Sequence, residues 1–325
     1  MLEPATFRIY SNLIFDILNA VEPKVESTDL IRLFTKLTKP LEHKPTDTAS
    51  QLPSVPAPIK AVLFDVYGTL ISSGVGDISL DQTANEDRLI HELIAKHGYE
   101  INSPEEAENL AASINREIQI EHDQSRASGA PYPEVDIREI WARVLSQRTK
   151  PHPSPREESQ RIEHLAVEYE CAVNPVWPNP GFAEILEFCR ERKIPMGIVS
   201  NAQFYTPIML ESFLGQSLTS AGFESSLMVW SYLERRGKPD TSLYQKMAQK
   251  LRSNFGIQPH EALFVGNDML KDIWAATEVG FKGVLYAGDE RSLRLRKDDS
   301  RCQDLQAYAI ISSLLEIRQL LPFSE

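Results

Sequence analysis

Residues 59–70 read IKAVLFDVYGTL, and this stretch decides the fold. It begins with a short, mostly apolar run and continues through Asp65 into a turn that contains Gly68. Such a run, bounded by turn residues, is typical of a buried strand in a parallel sheet. The sequence therefore predicts a strand over residues 59–64 whose carboxyl end carries an aspartate.

Beyond residue 178, short apolar runs alternate with amphipathic helical patterns. The predicted strands are 196–200, 227–230, 262–265, 283–286 and 309–311, and the predicted helices are 182–192, 241–251, 272–279 and a final one after residue 311. This alternation is typical of a parallel sheet that helices cover on both faces. The predicted fold class is α/β, with a Rossmann-like parallel sheet.

A long, polar and mostly helical stretch interrupts this pattern after the first strand. It is too long to be a loop within a compact domain. We therefore predict a helical cap over residues 75–178, inserted into a core formed by residues 59–74 and 179–325.

The residues before the first strand predict a helical extension over 1–44 and a linker over 45–58. The extension contains two amphipathic patterns, at 5–21 and at 27–37, and the linker contains four prolines. The apolar stripes of these helices favour either packing on the chain's own core or docking onto a partner, including a second copy. Self-association through the extension is therefore one expectation.

The composition excludes several functional classes. The chain has 325 residues with 46 acidic and 34 basic side chains, a formal net charge of −12. This charge gives no general attraction to nucleic acids or anionic membranes. The three cysteines are too widely spaced for a disulfide framework, and no apolar run approaches the roughly 20 residues of a membrane span. The N-terminus lacks the pattern of a signal peptide. We expect a cytoplasmic protein that acts on a small molecule.

Polar side chains follow four predicted elements, where the strands of a parallel sheet would place them at one edge. They are Asp65, Tyr67, Gly68 and Thr69; Ser200 and Asn201; Lys238; and Asn267, Asp268 and Asp272. Each group alone is compatible with a turn, a helix cap or a solvated lysine. Together they supply a carboxylate nucleophile, an oxyanion donor, a balancing cation and acidic ligands.

This conjunction resembles the haloacid dehalogenase superfamily of hydrolases, from residue 59 to about residue 311. The resemblance implies a Rossmann-like core with a helical cap. It also implies a nucleophile at Asp65, hydroxyl donors at Thr69 and Ser200, and the motif lysine at Lys238. Asp65 would form a covalent aspartyl intermediate. We expect Tyr67, Gly68 and Asn201 to contact the substrate.

The first motif departs from the superfamily's phosphatases. They usually carry a second aspartate, a general acid and base, at the place of Tyr67, whereas the 2-haloacid dehalogenase branch looks like this sequence there. A halide leaving group needs no proton, but an alkoxide does, and general acid catalysis contributes about 10²–10⁴ in rate.

The fourth motif favours the phosphatase branch. Its spacing from Gly266 to Asp272 looks like the phosphatase form, although Asn267 occupies the first acidic place. The resemblance implies a Mg²⁺ site built from Asp65, the backbone carbonyl of Tyr67, Asn267, Asp268 and Asp272. Magnesium accepts one or two carboxylates and keeps several waters.

We therefore expect a Mg²⁺-dependent phosphatase of a small phosphorylated metabolite. The first alternative is a metal-independent 2-haloacid dehalogenase, which would use a cap arginine, for which Arg116, Arg138 and Arg143 are candidates. The second alternative, of another class, is a catalytically idle binding protein that has kept the fold.

Overall fold

The structure, a computed structural model, describes residues 27–55, 57–74, 83–103, 109–150 and 154–322. These residues divide into two compact units. The helical unit contains the described residues of Met1–Leu37, Ile78–Ala130 and Val135–Val173, and the sheet unit contains those of Thr38–Asp77, Pro131–Glu134 and Asn174–Glu325. The helix at the start of the described chain therefore groups with the helical unit, and a four-residue segment at 131–134 groups with the sheet unit.

Five helices form the helical unit. They are α1 (Ser27–Leu37), α2 (Thr83–Lys96), α3 (Leu110–Ala127), α4 (Ile137–Arg148) and α5 (Pro155–Val173). Asp136 precedes helix α4 and caps it, since its side chain accepts the Arg138 amide at 3.0 Å. Trp141 on α4 is fully buried and packs edge-to-face on Tyr169 of α5, with ring centroids 5.4 Å apart. Apolar faces packed in this way form the core of the unit.

Helix α1 packs against α5 within the helical unit. Its apolar stripe buries Leu30 and Phe34. The chain itself therefore covers these two residues of the stripe. They are buried by the helical unit, not by a partner. The other helix of the extension, predicted over 5–21, lies outside the described residues, and self-association stays a prediction.

Six parallel strands form the main sheet of the sheet unit. They are β1 (Ala61–Phe64), β4 (Met196–Ser200), β5 (Phe223–Trp230), β6 (Ala262–Gly266), β7 (Lys282–Tyr286) and β8 (Ala309–Ile311). Their order in the sheet is β5-β4-β1-β6-β7-β8. Every residue of β1, β4 and β6 is buried, as expected for central strands with both faces covered. The α/β prediction with a Rossmann-like parallel sheet is confirmed.

A second, two-stranded sheet pairs β2 (Ile71–Ser73) with β3 (Val176–Pro178) in antiparallel register. The sequence did not predict it. Strand β2 precedes helices α2–α5 in the chain and β3 follows them, so this ribbon pairs two segments that flank those helices in the sequence. Ser72 lies opposite Trp177 in the pairing.

The helices of the sheet unit are α6 (Phe182–Glu191), α7 (Tyr205–Leu214), α8 (Ser231–Glu234), α9 (Thr241–Phe255) and α10 (Ala275–Glu278). The prediction of one α-helix over 272–279 is wrong, because a wide π-helical turn, Met269–Trp274, precedes α10. It begins early because the Asp268 side chain caps it. The final predicted helix, after residue 311, is present as a 3₁₀ helix over Leu314–Leu320.

The described residues of the predicted linker lie along the β8 edge of the sheet. Gln51 exchanges two backbone hydrogen bonds with Ile310 of β8, at 2.8 and 2.9 Å. The Thr46 hydroxyl donates to the carbonyl of Ala287, just after β7. An edge strand offers unpaired backbone groups, and this segment covers some of them.

The structure also bears on membrane-spanning helices and on the cysteines. Among the described residues, no helix combines the length and apolarity that a membrane span requires. Cys171, Cys189 and Cys302 are free thiols.

Candidate active site

The sheet order places strand β1 between β4 and β6, so the carboxyl ends of these three strands lie side by side. Phe64, the last residue of β1, is in register with Ile198 on one side and Val265 on the other. Asp65 therefore follows β1 where Ser200 and Gly266 end the neighbouring strands. Ligand sites of open α/β sheets form where neighbouring strands lead the chain in opposite directions, as they do here.

Asp65 is the centre of the cluster that the sequence predicted. It is buried, and its Oδ1 lies 2.5 Å from the Lys238 Nζ and 3.2 Å from the Ser200 Oγ. Its Oδ2 lies 3.2 Å from the Thr69 Oγ1. The structure thus brings the four predicted catalytic side chains into direct contact.

Lys238 balances two carboxylates. Its Nζ donates to Asp65 and, at 2.6 Å, to the Oδ1 of Asp272. Burial alone would lower the pKa of Lys238, but the carboxylates of Asp272 and Asp65 outweigh burial and raise this pKa above its usual range. The ammonium therefore stays charged.

The side chain of Asn201 is hydrogen-bonded to the backbone of Lys238. The Lys238 amide donates to the Asn201 Oδ1 at 2.6 Å, and the Asn201 amide group donates to the Lys238 carbonyl at 3.5 Å. The residue predicted to contact the substrate thus fixes the lysine of the site. This explains why a polar residue directly after β4 suits the site even without substrate.

Asp272 is almost completely buried beneath Gly266. A Cβ built on Gly266 would overlap the Cβ and carboxyl group of Asp272, so only glycine fits there. Burial raises the pKa of Asp272, and the nearby carboxylates of Asp65 and Asp268 add to the shift despite the opposing charge of Lys238. The cluster thus carries more negative charge than its one lysine neutralises.

Asn267 faces the same side of the nucleophile as Thr69. Its Oδ1 lies 3.2 Å from the Thr69 Oγ1, and its amide group donates to the Ser292 carbonyl at 2.5 Å. Gly68 has a φ of +86°, and a Cβ there would lie 2.5 Å from the Asn267 amide nitrogen. Gly68 therefore allows the two turns to approach each other, in addition to its predicted place near the substrate.

Asp268 caps a helical turn and pairs with an arginine. Its Oδ1 accepts the amides of Leu270 and Lys271, at 2.9 and 3.0 Å, and so caps the following helical turn. Its Oδ2 accepts from the Arg296 guanidinium at 2.6 and 3.0 Å. Both carboxylate oxygens of Asp268 thus have partners within the protein, and its role as a metal ligand stays a prediction.

Tyr67 stands where the phosphatases carry their acid. Its hydroxyl lies 3.0 Å from the Thr206 Oγ1, and Thr206 in turn accepts the Gln203 amide at 3.2 Å. A phenol is a much weaker acid than a carboxyl group, so this pair does not reproduce the second aspartate of the phosphatases.

The oxygen donors of the cluster fit a magnesium ion completed by substrate. The Asp65 Oδ2 and the Asn267 Oδ1 both lie 3.2 Å from the Thr69 hydroxyl, so one carboxylate and one amide oxygen converge. The described residues contain no group of three acidic, histidine or cysteine side chains able to hold a metal alone. Magnesium usually has one or two carboxylate ligands beside waters and substrate phosphates.

The arginines considered for the cap have other partners or lie exposed in the helical unit. Arg138 pairs with Asp136 at 2.6 Å and with Glu163, and Arg143 pairs with Glu117 and Glu121. Arg116 is exposed on α3.

Two contacts of the site could not be found by sequence reasoning. Ser292 holds Asn267 with a backbone carbonyl, which carries no residue signal, and Thr206 meets Tyr67 from a helix that the sequence did not predict. Asp272, by contrast, was recognisable because it falls at motif spacing after Gly266.

Comparison with known proteins agrees with this geometry. The family model described as haloacid dehalogenase-like hydrolase matches residues 59–280. A search of curated proteins finds no match.

Solved structures of both branches are similar to this chain at low identity. A HAD phosphatase from Thermococcus onnurineus is 20% identical with a TM-score of 0.44, and the match covers 81% of this chain and 97% of that one. A 2-haloacid dehalogenase from Pseudomonas syringae pv. Tomato DC3000 is 19% identical with a TM-score of 0.49, over the same two shares. An L-2-haloacid dehalogenase from Xanthobacter autotrophicus, with chloropropionic acid covalently bound, is 17% identical with a TM-score of 0.43, over 81% and 98%.

The family match spans more than half of the chain and includes all four motif regions. The chain therefore belongs to the haloacid dehalogenase-like hydrolase family, and the protein is a hydrolase.

Proposed function

We propose that the protein is a Mg²⁺-dependent phosphomonoester hydrolase that acts on a small phosphorylated metabolite through a covalent aspartyl-phosphate at Asp65. The observation that carries the proposal is the buried contact of Asp65 with Lys238, Ser200 and Thr69. The idle binding protein, which the sequence left open, has no need of a buried carboxylate held by an ammonium and two hydroxyls.

In the first step, the Asp65 carboxylate attacks phosphorus. A bond forms between the carboxylate oxygen and phosphorus while the bond to the leaving oxygen breaks, and the electron pair stays on the leaving oxygen. Lys238 and Ser200, which meet at the Oδ1 of Asp65, would donate to the phosphoryl oxygens. A water then attacks the acyl phosphate, which releases inorganic phosphate and restores Asp65.

The charge of the cluster supports a role for a cation. Asp65 and Asp272 share one ammonium, so an incoming phosphate meets surplus negative charge. The Asp65 Oδ2, the Tyr67 carbonyl and the Asn267 Oδ1 would hold Mg²⁺. Bound there, the ion would neutralise charge on the phosphoryl group. The engagement of Asp268 with Arg296 argues against Asp268 as a direct ligand.

The Tyr67–Thr206 pair supports a narrower substrate class. Without a carboxylic acid at this place, the enzyme would favour phosphate esters whose leaving group departs without protonation. We expect aryl and acyl phosphates to be hydrolysed rapidly. Alkyl phosphates should be hydrolysed more slowly, with a kcat about 10²-fold lower.

Metal-independent dehalogenation of a 2-haloacid is the second candidate function, because the same Tyr67–Thr206 pair suits a halide leaving group. In that case Asp65 would attack carbon, the halide would leave with its electron pair, and water would hydrolyse the ester. Lys238 would balance the charge without a metal.

One experiment separates the two functions. Phosphate release from p-nitrophenyl phosphate with Mg²⁺ is compared with chloride release from 2-chloropropionate in EDTA. The proposal expects phosphate release that EDTA abolishes. Chloride release in EDTA without any phosphate release would establish the second candidate instead.

The three free thiols and the acidic composition support an intracellular setting for this activity, and we propose the cytoplasm.

A further inference from the structure

Asp289, in the loop after β7, has a fully buried carboxylate outside the cluster around Asp65. Its Oδ1 accepts the backbone amide of Arg291 at 2.9 Å, and its Oδ2 accepts from the Arg291 guanidinium at 3.0 Å. Burial alone would raise the pKa of Asp289, but its hydrogen bonds with Arg291 and Ser72 outweigh burial and lower the pKa. The group is therefore a buried, compensated charge.

A chain of polar contacts connects Asp289 to the turn of the nucleophile. The Ser72 Oγ on strand β2 lies 3.0 Å from the Asp289 Oδ2 and 2.5 Å from the Asn179 Oδ1. The Asn179 amide group donates to the Thr69 carbonyl at 2.8 Å, and its backbone amide donates to the Leu70 carbonyl at 2.9 Å. Thr69 is the residue whose hydroxyl meets Asp65. We call Asp289, Ser72 and Asn179 the Asp289 network.

The same loop also holds the second turn of the site. Ser292, three residues after Asp289, accepts the side-chain amide of Asn267 on its carbonyl, and the Arg294 amide donates to the Asn267 carbonyl at 3.0 Å. One loop therefore contacts Asn267 directly and reaches the backbone of Thr69 through Ser72 and Asn179.

A second turn in the molecule shows that an aspartate can form this type of turn without a contact such as the one between Asp289 and Ser72. Asp299 forms the same turn with Arg301, two residues later, through the backbone amide at 3.0 Å and the guanidinium at 2.8 Å. The Asp299 side chain is 25% exposed, whereas that of Asp289 is fully buried. The Asp-x-Arg turn thus forms without complete burial of its carboxylate and without a partner such as Ser72.

We propose that Asp289 is a positioning residue for the nucleophile. Through Ser72 and Asn179 it fixes the backbone at Thr69 and Leu70, and so the direction of the Thr69 hydroxyl toward Asp65. The inference rests on the proposed function, because it assumes that Asp65 attacks the substrate. Small displacements of such a group can lower the rate by as much as about 10²-fold.

The test compares four variants on whichever of p-nitrophenyl phosphate and 2-chloropropionate the wild-type enzyme hydrolyses. Asp289→Asn replaces the acceptor that faces Ser72, and Ser72→Ala breaks the network while it leaves the Asp289–Arg291 pair intact. The third variant combines both changes. Asp299→Asn is the matched control, since it alters the same type of turn away from the site.

We expect each single variant to lower kcat by about 10-fold with little change in KM, because the nucleophile is misdirected while substrate contacts remain. The double variant should be no slower than Asp289→Asn alone, since both changes interrupt one chain of contacts. The control should keep the wild-type kcat. Thermal unfolding, measured for every variant, separates loss of folded protein from loss of rate.

Wild-type kcat in folded Ser72→Ala protein would overturn the inference while the proposed function stands. Rate losses in the single variants that multiply in the double variant would also overturn it, because the two residues would then act separately. A wild-type protein that hydrolyses neither compound would overturn the proposed function, and this inference with it.

Discussion

The turn after β1 and the turn after β6 both place side chains in the candidate active site, but they use different residues to do so. Each follows a fully buried strand, and each contains a glycine packed directly against a side chain of the site. The turn after β1 directs Asp65 and Thr69 inward and pairs the Tyr67 hydroxyl with Thr206. The turn after β6 directs Asn267 and Asp272 inward, while Asp268 caps a helix.

The difference shows that the number of acidic residues in a turn does not predict how much negative charge the turn contributes to the site. Asp268 follows Asn267 directly, yet its carboxylate is neutralised by Arg296 and by the helix that it caps. The charge available for chemistry comes from the turn after β1, and the turn after β6 supplies a buried counter-charge for Lys238 and an amide oxygen. We therefore expect substitutions in the two turns to have very unequal effects.

Asp65→Asn should have the largest effect. The amide has nearly the same shape but is a poor nucleophile, so kcat should fall by about 10³-fold or more. Steady-state assays check the rate, and circular dichroism checks the fold. Substantial residual turnover in folded protein would place the attacking group elsewhere than the turn after β1.

Lys238→Met should come next. It leaves the carboxylates of Asp65 and Asp272 facing each other in a buried site, which should destabilise the protein by about 3 kcal/mol at neutral pH. The measurement is urea-induced unfolding. Lys246→Met is the matched control, because Lys246 pairs with Glu234 at 2.6 Å on the surface, and we expect a loss below about 1 kcal/mol. Equal losses would mean that the buried pair is not special.

Asn267→Asp should strengthen magnesium binding. A second carboxylate beside Asp65 raises the ligand charge, so the half-saturating Mg²⁺ concentration should fall by about 10-fold. The variant also loses the hydrogen bond from Asn267 to Ser292, at about 1 kcal/mol of stability. Calorimetric titration with Mg²⁺ measures binding apart from activity. Unchanged binding would argue against a cation between the two turns.

Asp268→Ala should have the smallest effect on catalysis. It removes a helix cap and the ion pair with Arg296, so stability should fall by about 1 kcal/mol. The kcat of the folded variant should stay within about twofold of wild type, since the carboxylate of Asp268 is engaged by helix amides and by Arg296 rather than by Asp65. A rate loss close to that of Asp65→Asn would show that the two turns contribute alike.

The main features of the fold could be predicted because each depends on local pattern. Strands β4 and β8 have the predicted bounds, Met196–Ser200 and Ala309–Ile311, since each is an apolar run with clear limits. A helix cap among Asn267 and Asp268 was one of the alternatives that the sequence left open, but spacing alone did not show that the turn starts at Met269.

The candidate site divides in the same way. Asp65, Ser200 and Lys238 were predictable, because parallel strands end at one edge and the motifs fix the spacing. Asp289 was not, because its partner Ser72 lies 217 positions away in the sequence and neither residue belongs to a motif. Contacts between distant residues depend on tertiary packing, which a single sequence does not display.

The most direct test of the account is to trap the covalent intermediate. Wild-type protein is mixed with p-nitrophenyl phosphate and Mg²⁺, quenched in acid within the first turnover and analysed by peptide mass spectrometry. The account predicts a phosphoryl group on the peptide that contains Asp65, and no adduct in Asp65→Asn. Rapid turnover by wild-type protein with no adduct at Asp65, or with an adduct on another residue, would contradict it.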